Sequence, residues 1–456
     1  MSPIKTNAPA GAKTHGSVVA IIAMFFLFAM ISFVTNLAAP IGTIWKNNYE
    51  WSGMLGNLMN FLAYLFMGIP AGNMLVSQGY KKTALYAMIV GLVGLAFQWM
   101  SGVVGSETEM FVVGGQVVTL NFIIYLLGAF ICGFCVCMLN TVVNPMLNML
   151  GGGGNKGNQL VQMGGSLNSL SGTLTPLFVG MLIGNVTKQT SMADVSPLLF
   201  IAMGVFVLAF IVIWSVKIPE PHMVKGGMKK VKEKHSPWSF HHTVLGVIGI
   251  FFYVGIEIGI PGVLIFYLTD ITGSAAIAGG VAAVYWLLML VGRLISSVIS
   301  GVVSSRLQLI VVATVAIMLI IVAIMLPDTY QMSLPSYSVE NGFSLAPVPS
   351  KALLFVLCGL CTSVMWGGIF NLAVEGLGKY TAKASGIFMM MVVGGGVMPL
   401  IQNAIADSVG YMASYWLVVA MLAYLLYYGI AGCKNVNKDI PVEDEVKPNM
   451  ADQDYL

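Results

Sequence analysis

Long uncharged runs recur along this chain from end to end. No Asp, Glu, Lys or Arg interrupts 14–45, 51–80, 83–106, 110–155, 157–187, 195–216, 271–292, 307–327, 352–374, 384–406 or 408–433. A helix crosses a bilayer with about 20 mostly apolar residues, so nearly every run is long enough for one crossing. Only 9% of the 456 residues are charged and 57% are hydrophobic, whereas soluble domains carry about 25% charge. That balance excludes a soluble enzyme, a disordered chain and a nucleic-acid binder. The runs are solidly apolar rather than alternating in ten-residue segments, which selects helices over a transmembrane β-barrel.

The spacing predicts an all-α polytopic membrane protein with twelve spans, near 17–40, 53–76, 83–104, 119–150, 159–184, 195–217, 243–269, 274–300, 307–326, 352–377, 384–407 and 412–432. The run 110–155 opens with Gly114, Gly115 and Gln116 and is expected to hold one helix plus a flanking loop. Orientation follows from the basic residues. With the N-terminus inside, 17 of the 21 Lys and Arg fall on inner segments and only Lys46, Lys188 and Lys351 on outer loops. Arg293 is placed near the inner end of the eighth span. Both termini are therefore expected in the cytoplasm, in a cell inner membrane. No small-residue cleavage site marks a removable signal peptide.

Residues 218–242 carry five Lys together with Pro219, Pro221, Gly226 and Gly227, and read as a cytoplasmic linker. The expected organisation is a tail (1–16), a six-helix half (17–217), the linker (218–242), a second six-helix half (243–432) and an acidic tail (433–456). The halves show a faint repeat. At an offset of 226 residues Phe25-Phe26 falls on Phe251-Phe252, and Cys132-Gly133-Phe134-Cys135 on Cys358-Gly359-Leu360-Cys361. At 223, Pro176-Leu177 falls on Pro399-Leu400. Two such halves about an axis along the membrane normal are the arrangement of the major facilitator superfamily, with substrate bound between them. The two C-x-x-C pairs lie in apolar spans without His and read as small buried side chains. All five His fall in the inner tail or linker.

Several stretches resemble one branch of that superfamily, the fucose–proton symporter and glucose/galactose permease family. They are Phe252-Tyr253-Val254-Gly255-Ile256-Glu257, Leu139-Asn140-Thr141-Val142-Val143-Asn144-Pro145 and Glu375-Gly376-Leu377-Gly378-Lys379-Tyr380-Thr381. Val393-Gly394-Gly395 through Pro399-Leu400-Ile401-Gln402, and Tyr285-Trp286 with Gly292-Arg293, add to them. The resemblance implies a secondary transporter for neutral hexoses or deoxyhexoses, often proton-driven. Where the symporter branch carries acids in its first and fourth helices, this chain has Asn36 and Asn140. In the loop after the second span, Val76 stands where many members carry Asp.

A polar side chain inside a span is costly and needs a partner or a purpose. Asn140, Asn144 and Asn148 recur at i, i+4 and i+8 and form one stripe; Gln162, Ser166, Ser169 and Thr173, with Asn168 alongside, form another. Amides donate and accept, as sugar hydroxyls do, and aromatic faces suit the C–H face of a pyranose. The candidate substrate contacts are Asn36, Asn140, Asn144, Gln162, Glu257, Tyr285, Trp366, Asn371 and Gln402. Inter-helix hydrogen bonding is the competing role for each. Glu257 is the one acid near the centre of a span: a proton carrier, a charged acceptor for sugar hydroxyls, or a structural partner of Tyr253. Arg293 and Glu375 are a candidate cytoplasmic gate pair. With no Lys or Arg expected at mid-membrane, a neutral solute fits better than an anion.

These features predict a monomeric permease for a neutral monosaccharide, working by alternating access without a cofactor or bound metal. It is expected to be either a proton symporter, with sodium the second coupling candidate, or an uncoupled facilitator. A permease for nucleosides or for peptide or cell-wall fragments, and a non-transporting sugar receptor, stay open. The His-free spans provide no catalytic cluster for a membrane enzyme. The segment 327–350, with four prolines, is expected to be a long loop able to cap the outer mouth.

Overall fold

The computed structural model describes residues 15–49, 52, 55–183, 190–220, 235–273, 275–338 and 342–442. Among them the first half comprises α1 (His15–Asn48), α2 (Leu55–Gln78), α3 (Tyr80–Met100), α4 (Leu120–Leu150), α5 (Gly154–Ile183) and α6 (Ser196–Ser215). The second comprises α7 (His241–Thr272), α8 (Ala275–Ile299), α9 (Ser305–Met325), α10 (Lys351–Val374), α11 (Thr381–Met390), α12 (Gly394–Val409) and α13 (Tyr411–Tyr427). Eleven spans among the described residues are long and apolar enough to cross a membrane, with α11 and α12 counting as one. With α5 they make the twelve-helix bundle. Asn185-Val186-Thr187, a glycosylation sequon by sequence, lies outside the described residues.

Each half is a compact bundle in its own right. In the first, α4 packs on α2 and α3, and α1 lies against α5; in the second, α10 is central and packs on α7, α8 and α9. Small residues let these helices approach, the usual device where lipid removes the hydrophobic drive for helix association. A methyl group at Gly94 of α3 would lie 2.7 Å from the Cys132 sulfur of α4, and one at Gly91 2.7 Å from that of Cys135. The six cysteines are buried and unpaired. The glycine run after α4 turns the chain sharply, with Gly152, Gly153 and Gly154 at φ of +83°, +71° and +52°.

Three expectations are corrected. The eleventh span is broken: a 3₁₀ turn at Met391–Val393 separates α11 from α12. The segment 327–350 is no open loop, because β3 (Gln331–Ser338) and β4 (Gly342–Pro349) pair antiparallel, Gln331 opposite Pro349 through Ser338 opposite Gly342. A shorter hairpin, β1 (Glu109–Val113) with β2 (Gln116–Thr119), occupies the corresponding place in the first half and turns at Gly114-Gly115. Finally, His241 and His242 belong to the first turn of α7 rather than to the linker.

The halves meet along α2 with α11, α5 with α8 and α10, and α4 with α11. α2 and α11 approach closely: a methyl group at Gly386 would lie 2.4 Å from the Gly68 carbonyl oxygen.

Candidate functional site

Part of each amide stripe faces the seam between the halves, and helical spacing puts it there: Asn144 and Asn148 of α4 and Gln162 of α5 meet α10. Trp366 Nε1 of α10 donates to Asn144 Oδ1 at 3.0 Å. One turn on, Asn148 Nδ2 donates to Asn371 Oδ1 at 2.9 Å, and Asn371 Nδ2 passes the chain to Ser305 Oγ. Gln162 Nε2 of α5 donates to the Val364 carbonyl at 2.9 Å. Asn158 Nδ2 reaches Ser300 Oγ, and Ser385 Oγ of α11 donates to the Thr141 carbonyl. All but the Asn371–Ser305 bond join first half to second, on the side where the linker connects α6 to α7. We call this the linker side.

Near the middle of the bundle stands an ion pair. Arg293 Nη2 of α8 lies 3.2 Å from Glu257 Oε1 of α7. Its Nη1 donates across the seam to the Gly165 carbonyl at 2.8 Å and to Ser169 Oγ at 2.7 Å. Both charged side chains are shielded, Arg293 7% and Glu257 15% exposed. This corrects two expectations. A basic side chain does lie buried within the bundle, and Arg293 pairs with Glu257 rather than Glu375. Glu375 is exposed, and its carbonyl is the partner of His242 Nε2. Arg293 stands six residues before the end of α8, about 9 Å deep at the helical rise, too far in to be a gate at the membrane face.

The remaining candidates separate. Asn140 turns to its own half, its Nδ2 donating to the Tyr64 hydroxyl at 3.0 Å. Tyr285 is fully buried in the second half and shares a hydrogen bond with Thr362, which removes it from the seam's free polar groups. The Asn36 side chain, like that of Thr173, lies outside the described residues. Gln402 of α12 is fully buried, and among the described residues neither its Oε1 nor its Nε2 has a partner. It has room because α7 carries Gly259 there: a methyl group at that position would lie 2.3 Å from Gln402 Oε1. The Tyr253 hydroxyl, one turn from Glu257, is buried beside the Glu257 and Arg293 side chains, and its ring lies 6.0 Å from that of Trp366. Sequence reasoning missed Asn158, Ser300 and Ser385. Asn158 was legible, since it continues the α5 stripe one turn before Gln162.

The fold agrees with comparison to known proteins. Residues 21–397 match the Major Facilitator Superfamily. The chain belongs to that superfamily. It is accordingly a polytopic membrane transporter and not an enzyme. Among superfamily members, the glucose/galactose transporter of Brucella abortus is 29% identical over 448 residues, covering 95% of this chain and 99% of that protein. The L-fucose-proton symporter of Escherichia coli K12 is 21% identical over 430 residues, covering 89% and 90%. A crystal structure of the E. coli fucose:proton symporter superposes with a TM-score of 0.73 at 16% identity, covering 92% of this chain and all of that one. The superfamily's proton:xylose symporter, solved with 6-bromo-6-deoxy-D-glucose, superposes with a TM-score of 0.61 at 12% identity, covering 92% and 96%. At such identities the superpositions establish the shared fold.

Proposed function

We propose that the chain carries a neutral monosaccharide, a hexose or deoxyhexose, across the inner membrane by alternating access, with both termini in the cytoplasm. The observation that carries this reading is the Gln402 amide of the second half, fully buried and without a hydrogen-bond partner among the described residues. A buried amide without partners costs about 1–3 kcal/mol, which a ligand able to donate and accept repays. Sugar hydroxyls do both. The names of the relatives, glucose/galactose transporter and L-fucose-proton symporter, point to the same solute class. The mid-bundle charges cancel, so an anionic sugar finds no spare cation there.

In this reading the seam is the gate. Asn144–Trp366, Asn148–Asn371 and Gln162–Val364 seal the linker side and break when the halves rock to expose substrate to the cytoplasm. Glu257 is tied to Arg293, and a proton taken up there would strand a buried guanidinium, which is expensive. That favours a facilitator. Proton symport through Glu257 would require Arg293 to find another partner in the same step.

Binding is tested by thermal unfolding of the purified transporter. A ligand that binds only the folded state raises the melting temperature, so a neutral hexose or deoxyhexose should raise it while sugar phosphates do not. A rise with nucleosides or short peptides and none with any sugar would replace this reading.

A further inference from the structure

A second polar site lies wholly inside the first half, away from the seam. Four helices enclose a small cavity: Val34 and Leu37 from α1, Gly56 and Asn60 from α2, Leu95 and Gln98 from α3, Tyr125, Ala129 and Cys132 from α4. Its interior has room for about one water molecule. Asn60 and Tyr125 are 5% and 1% exposed, and among the described residues neither Asn60 Oδ1 nor the Tyr125 hydroxyl has a hydrogen-bond partner. Gln98, 7% exposed, spends its Nε2 on the Cys132 sulfur at 3.4 Å, which leaves its carbonyl oxygen for another donor.

The site is built, because each polar side chain is seated on a glycine of a neighbouring helix. A methyl group at Gly56 would fall on the Tyr125 hydroxyl, 2.0 Å away. One at Gly133 would lie 2.9 Å from Asn60 Oδ1, and one at Gly128 2.8 Å from the Gln98 Cγ. Two helices, α2 and α4, thus give up side-chain volume to bring three polar groups around one cavity.

We infer that this chamber holds one structural water. Water donates to Asn60 Oδ1 and to the Gln98 carbonyl oxygen and accepts from the Tyr125 hydroxyl, three bonds, the usual number for a buried water. A sodium ion would meet three neutral oxygens and no carboxylate, leaving a desolvated charge uncompensated. Val34 and Leu37 close the chamber, so α1 meets α2, α3 and α4 there across a solvated patch rather than a dry one.

Brief X-ray radiolysis of the full-length protein in ¹⁸O water, read by mass spectrometry, tests this, since radicals formed from a trapped water mark the side chains beside it. Tyr125 and Cys132 should take up ¹⁸O, while Tyr415, equally buried but bonded to the Ile260 carbonyl, should not. In Asn60→Leu the label at Tyr125 should be lost. Wild-type protein labelled no more at Tyr125 than at Tyr415 overturns the inference without any variant. A sodium-dependent rise in melting temperature that Asn60→Leu abolishes would also overturn it, making the chamber a cation site.

Discussion

Arg293 ties three helices at one point: it is paired with Glu257 of its own half at 3.2 Å and bonded through its other nitrogen to Gly165 and Ser169 of the opposite half. The guanidinium is both the counter-ion of the mid-bundle acid and a bolt across the seam. Glu257→Gln should therefore destabilise by about 3–5 kcal/mol, the cost of leaving one partner of a buried pair uncompensated. Adding Arg293→Gln should restore part of that loss. Melting temperatures of the two single variants and the double variant decide it; additive losses would mean the pair is not coupled.

The seal on the linker side should weaken when its bonds are cut. Trp366→Phe removes the donor to Asn144 Oδ1, worth about 1–3 kcal/mol for a buried acceptor left alone. Gly386→Val drives a side chain into the Gly68 carbonyl, and overpacking of this kind costs about 1–3 kcal/mol. Spin labels at Lys156 and Lys379, on linker-side ends of different halves, should report longer distances in both variants. Unchanged distances would place the seal elsewhere.

Gln402 should behave oppositely for stability and for transport. Gln402→Leu removes two unpartnered buried polar atoms, so the melting temperature should hold or rise. Sugar affinity should fall, seen as a higher KM. A normal KM with lowered stability would make Gln402 a structural residue.

On the face away from the linker, Asp328 anchors the β3–β4 hairpin to the bundle. It accepts from Lys351 Nζ at 2.5 Å and from the Tyr267 hydroxyl at 2.7 Å. Partial burial pushes its carboxyl up, but Lys351 and Tyr267 outweigh that and hold it below the usual carboxylate range. A carboxyl depressed in the folded state adds stability above its unfolded pKa, about 3.9, and loses it as pH falls through the folded value. Asp328→Asn should thus lower the melting temperature at neutral pH, modestly because the Asp328 side chain is 55% exposed. Wild type and variant should converge in acid.

The spans were legible because lipid forbids unpaired backbone and charge, so the uncharged runs had to be helices. The break between α11 and α12 was harder to see. Gly394, Gly395 and Gly396 with Pro399 mark weak helix, yet the position of the turn depends on α7 and α2 packing against those glycines. The β1–β2 hairpin could have been read from Val112-Val113-Gly114-Gly115-Gln116-Val117-Val118, since Gly-Gly between β-branched residues is a two-residue hairpin turn. The stripes on α4 and α5 follow from periodicity. Their partners do not: that Asn144 meets Trp366 while Asn140 meets Tyr64 is set by the register of packed helices. Arg293 was given the wrong partner for the same reason: the ends of α8 were legible to within a residue, but that it meets Glu257 of α7 is set by helix packing.

Counterflow in proteoliposomes tests the central claim most directly. Vesicles holding the purified transporter and loaded with unlabelled hexose or deoxyhexose should draw in the same labelled sugar transiently, without an imposed ion gradient. A proton gradient should add little in wild type if Glu257 stays tied to Arg293. Failure to exchange any neutral sugar, with or without a proton or sodium gradient, would contradict the account.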